Sequence, residues 1–141
     1  MTREVIPSGS ALGADIKGID FSKPLSDDDR AFVKQAWNDH LVVRFRDQDL
    51  SDEDLVRLAD DFGGSQVAGS RQYYINAGYD TKSGRVSHLP GITIISNLDR
   101  DGNPEKENSG TGSSELYWHT DNSYVDNPPK GSILYGIQVP I

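Results

Sequence analysis

Trp118-His119-Thr120-Asp121 sets an imidazole and a carboxylate two positions apart, close behind an aromatic ring. In an extended strand, residues i and i+2 face the same side, so such a pair can grip one metal ion. Two imidazoles and one carboxylate are the set that holds non-haem Fe(II) on one face, with coordination positions left open for small ligands. The sequence has 3 His, and none follows His119. The second imidazole is therefore His40, His88, or a residue outside this sequence. The same spacing also suits a surface His paired with a nearby carboxylate, so spacing alone leaves both readings open.

The elements that would position such a site are unevenly signalled. Ser26-Asp27-Asp28-Asp29 puts a capping hydroxyl and first-turn carboxylates ahead of Phe32, Val33, Ala36, Trp37 and His40, which predicts an amphipathic helix. Ser51-Asp52-Glu53-Asp54 repeats the device before Leu55, Leu58, Ala59 and Phe62, and Gly63-Gly64 is a stop signal. Leu41-Val42-Val43-Arg44-Phe45, Val5-Ile6 and Ala14-Asp15-Ile16-Lys17 read as short strands. From Ser65 to Pro90 there is no sustained period, and Tyr73, Tyr74 and Tyr79 cluster in what reads as a long loop. Two later strands are expected, Ile92–Ile95 and Ser132–Ile137, the second after the Pro128-Pro129 break. Early helices followed by a mainly β second half give an α+β class, in a single domain over residues 1–141.

Bulk properties narrow the function classes. The formal charge is -8, from 14 Lys+Arg against 22 Asp+Glu, which argues against nucleic acid or an anionic membrane as partner. With no Cys, neither a disulfide framework nor a thiolate metal site is available. No apolar run approaches the roughly 20 residues of a membrane span, and Met1-Thr2-Arg3-Glu4 leads into no signal-peptide core. A cytoplasmic protein is the expectation.

Four ordered blocks carry a family resemblance. Gly13-Ala14-Asp15-Ile16 with Gly18-Ile19-Asp20, then Val42-Val43-Arg44-Phe45-Arg46-Asp47-Gln48, then Trp118-His119-Thr120-Asp121 and Pro128-Pro129 resemble the taurine dioxygenase / TfdA family of Fe(II)- and 2-oxoglutarate-dependent dioxygenases. The likeness runs from about Ile6 to Pro140. It implies a double-stranded β-helix (a jelly roll, cupin-like) with two flanking N-terminal helices. It also implies His119 and Asp121 as iron ligands, 2-oxoglutarate as cosubstrate, and O2 and a small organic substrate as partners. The family's distal His, its cosubstrate-binding Arg and a nearby Thr have no counterpart in this sequence. The chain therefore reads as the N-terminal portion of such an enzyme, the barrel's C-terminal part absent. On that reading it is inactive and poorly monomeric by itself, and a homo-oligomer when complete.

The resemblance also bears on substrate. Taurine-type members carry His soon after the Phe-Gly that ends the second helix; here Phe62-Gly63 is followed by Gly64-Ser65-Gln66-Val67-Ala68. Where such members have a substrate-contacting Asn, four residues before the metal His, this chain has Glu115. Taurine itself is thus disfavoured. Arg71, Tyr73, Tyr74, Arg85 and His88, with Asn97 and Glu115, form a candidate pocket for another organic acid, such as an aryloxy acid or a sulfonate. The carboxylate at Asp121 favours hydroxylation over halogenation, which in related oxygenases goes with a small residue there.

Competing readings of single residues are plain. His40 suits a partner for the first helix's C-terminal dipole. Asn97-Leu98-Asp99-Arg100-Asp101-Gly102 imitates the start of a calcium loop, but its twelfth position is Asn108 where a bidentate Glu is required. A polar turn fits better. The rival for the whole chain is a non-catalytic β-rich remnant, ligand-binding or dimerising, in which His119 and Asp121 are vestigial.

Overall fold

Alternation in Ala14-Asp15-Ile16-Lys17 decides which way the N-terminal sheet faces. Ala14 and Ile16 are buried, each 4% exposed, while Asp15 and Lys17 point to the other face. In the computed structural model, which describes residues 2–67, 71–82, 86–96, 101, 103, 120 and 124–137, this segment is strand β2 (Ala14–Lys17). It lies between β1 (Glu4–Pro7), antiparallel with Val5 opposite Ile16, and β3 (Val43–Phe45), parallel with Ile16 opposite Phe45. The parallel step requires a crossover, and helix α1 (Asp27–His40) supplies it.

Both expected helices form for the expected reason. Ser26 accepts the Asp29 backbone N–H at 3.1 Å. Ser51 does the same for Asp54 at the start of α2 (Asp52–Asp61), and the Asp54 carboxylate returns to the Ser51 N–H at 3.0 Å, a reciprocal capping box. Asp61, unfavourably placed at the negative end of α2, is offset by the Arg30 guanidinium at 3.0 Å. Ala14, Ile16, Ile19, Phe21, Leu25, Val33, Ala36 and Leu58 form one buried cluster, with Val5, Phe32, Val43, Phe45, Leu50 and Phe62 packed against it. The Phe21 and Phe45 rings meet edge-to-face at 4.6 Å.

The expected strand from Leu41 starts later because Leu41 is bent. Its φ is 64° and ψ is −36°, and Val42 donates to the His40 carbonyl at 2.7 Å, an i to i+2 turn that reverses the chain out of α1. Gly13 donates to the same carbonyl at 2.9 Å, which ties the start of β2 to the end of α1.

Beyond β3, one side chain bonds to backbone groups of the segment that follows β2. Gln48 accepts from the Phe21 N–H at 3.0 Å and donates to the carbonyls of Ile19 at 3.1 Å and Arg46 at 3.2 Å. Arg57 donates to the Phe21 carbonyl at 2.9 Å and is itself paired with Asp54 at 2.7 Å.

The chain divides into two compact units, Met1–Gly64 and Ser65–Ile141. The second contains α3 (Arg71–Asn76), where a loop was expected. Its end follows standard stop chemistry: Gly78 has φ +86° and donates to the Ile75 carbonyl, while Tyr79 donates to the Tyr74 carbonyl, each at 3.0 Å. Two expected strands are corrected. Ile92–Ile95 contributes a single antiparallel bridge, Thr93 with Val86. Residues 131–137 form no strand, having no ladder partner among the described residues; Leu134 and Ile137 are 82% and 87% exposed. The described residues thus show the α+β class through a three-stranded sheet and helices. No helix among them is long and apolar enough to cross a membrane.

Two outcomes follow from these bonds. Gln48→Ala should lower unfolding free energy by about 1–3 kcal/mol in denaturant titrations, since two half-buried bonds each contribute on the order of 1 kcal/mol and the exposed bond to Arg46 adds less. Gln48→Glu should cost at least as much, because a carboxylate cannot donate to the Ile19 and Arg46 carbonyls. An unchanged midpoint for both variants would contradict the role assigned to Gln48.

The second outcome concerns acid. Hydrogen bonds from Lys23 and Ser22 hold Asp20 at about 2, against an ordinary value of 3.8. Asp15 is lowered chiefly by the Arg44 hydrogen bond, and Asp54 by the Ser51 backbone and hydroxyl and by Arg57. All three carboxyls bind protons more weakly when folded, so the stability they contribute is complete above the ordinary value. It is lost as pH falls from there through the folded values, toward about 2 for Asp20. Urea midpoints measured at steps of pH should be flat down to about 4 and fall below it, and Asp20→Asn should shallow that fall.

Candidate functional site

His119, Asp121, Trp118, Arg85, Asn97 and Glu115 lie outside the described residues, as does most of the calcium-loop imitation from residue 97 to 108. Among the described residues, no group of three His, Asp, Glu or Cys side chains could hold a metal ion. His40 occupies the last turn of α1 in the first unit, as the dipole argument expects. The geometry available for the candidate site is therefore that of Arg71, Tyr73 and His88, all in the second unit.

Arg71 opens α3 and is half-buried. Its Nη1 donates to the Ser87 carbonyl at 2.5 Å. Ser87 is 3% exposed, the one buried polar residue among those described. Its hydroxyl accepts from the Leu89 N–H at 3.1 Å, a local serine turn. Before it, Val86 is 4% exposed and bridged to Thr93; after it, Ile92 donates to the Leu89 carbonyl at 3.2 Å. His88 is exposed between these tied neighbours. The turn thus presents an imidazole outward from a closely bonded backbone.

The rest of the unit is tied in similar fashion. A side chain at Gly91 would meet the Ser65 Cβ and Oγ at 2.9 Å, so glycine permits that close approach. Gln66 donates to the Asn127 carbonyl at 3.0 Å. Tyr73 is 71% exposed on α3, its ring edge-on to Tyr74 at 5.4 Å, and Tyr74 is edge-on to Tyr79 at 5.5 Å. The tyrosine cluster therefore serves packing through Tyr74 and Tyr79, which join across the end of α3, while Tyr73 keeps an open ring face.

Of the described candidates, the structure brings Arg71 to the residue preceding His88, whereas the Tyr73 ring meets Tyr74. Sequence reasoning passed over Ser87, although a Ser two residues before a Leu-Pro-Gly turn is a known turn-former. It also passed over α3, whose signal was Gly78 as a helix stop.

The donor types at His119 and Asp121, one nitrogen and one carboxylate oxygen with no sulfur, suit Fe(II) rather than a thiolate-seeking metal. The chain is similar to several known proteins. Pentalenolactone F synthase of Streptomyces avermitilis is 31% identical over 134 residues, 94% of this chain and 39% of that protein. The (S)-phenoxypropionate/alpha-ketoglutarate-dioxygenase of Delftia acidovorans is 25% identical over 146 residues, 99% of this chain and 43% of that protein. The chain thus spans about two fifths of the length of these relatives. A Burkholderia xenovorans crystal structure, assigned as an alpha-ketoglutarate-dependent taurine dioxygenase, matches with a TM-score of 0.50 at 27% identity. That match covers 63% of this chain and 28% of the other. Together with a family pattern matched over residues 4–140, these likenesses establish that the chain belongs to the taurine catabolism dioxygenase TauD, TfdA family.

Proposed function

We propose that this chain supplies His119 and Asp121 as two iron ligands of an Fe(II)- and 2-oxoglutarate-dependent dioxygenase that hydroxylates a small organic anion. The observation that carries this reading is the family match over residues 4–140, which includes the His-x-Asp pair. The double-stranded β-helix is the fold we assign to the intact domain. By the family resemblance the distal imidazole and the arginine for 2-oxoglutarate have no matching position in this sequence, and this reading takes them from residues outside it. A cytoplasmic location and a homo-oligomeric state complete the proposal.

Bound iron and 2-oxoglutarate would supply the oxidising chemistry: O2 and 2-oxoglutarate are consumed, succinate and CO2 are released, and one substrate C–H becomes C–OH. This chain's own contribution is binding and placement. His119 offers an imidazole nitrogen and Asp121 a carboxylate oxygen. Arg71, Tyr73, His88, Asn97 and Glu115 form the proposed substrate pocket. The relative named for phenoxypropionate supports an organic acid as substrate class, and a cationic and aromatic pocket suits such a molecule.

The test is anaerobic addition of Fe(II) and 2-oxoglutarate to the complete protein. A visible charge-transfer band should appear, and His119→Ala and Asp121→Ala should each weaken it at least about tenfold, as loss of a metal ligand commonly does. A folded protein that gives no band, or whose band survives both substitutions, would refute the assignment in favour of the non-catalytic remnant.

A further inference from the structure

We draw no further inference here: the strongest candidate, the apolar segment at residues 131–137 of the second unit, where Leu134 and Ile137 stand exposed and no ladder partner lies among the described residues, carries nothing because nothing in the structure shows what covers it.

Discussion

A four-residue strand with two faces governs the N-terminal unit. Ala14 and Ile16 turn inward between the side chains of β1 and β3, and a shift of pairing by one residue would bring Asp15 and Lys17 into the core instead. That penalty fixes the register on both sides. The parallel partner then dictates a crossover, so α1 lies over the apolar face, and its Val33 and Ala36 complete the burial. On the opposite face Asp15 meets Arg44 at 2.6 and 2.9 Å, a two-pronged pair across neighbouring strands that matches the same register. Being exposed, it adds specificity more than stability.

Short elements need substitutes for the bonds that longer ones make internally. Among the described residues no strand pairs with the chain at Ile19 and Phe21, and Gln48 and Arg57 take the places of backbone partners there. Asp54 serves both ends of this arrangement, closing the cap of α2 and orienting Arg57. The second unit uses the same device in Arg71 and Ser87. Side chains reach backbone groups that no ladder satisfies, and the irregular segment acquires a defined path.

How much was legible depended on whether the deciding chemistry was local. Ser26 and Ser51 with their following aspartates mark both N-terminal helices, because capping is settled within four residues. The alternation around Ile16 marks β2 for the same reason. Strands at 92–95 and 132–137 were inferred from apolar runs, but a run becomes a strand only where a partner offers a ladder, and pairing is not written within the run. Helix α3 escaped notice because Arg71–Asn76 is too short for a clear period, leaving only its glycine stop. The likeness to a dioxygenase family was legible from ordered motifs, and the family match agrees with it. The bond between Arg71 and Ser87 was not, since nothing at a separation of 16 residues predicts which carbonyl a guanidinium will reach.

The proposed chemistry requires that His119 and Asp121 be a metal-binding pair and not a surface hydrogen bond. X-ray absorption at the iron edge of the Fe(II)-loaded complete protein addresses it most directly. We expect a nitrogen and oxygen shell with an imidazole scattering signature that diminishes in His119→Ala and an oxygen contribution that falls in Asp121→Ala. Spectra identical among the three proteins would show that the iron sits elsewhere, and the proposed chemistry of this chain would go with it.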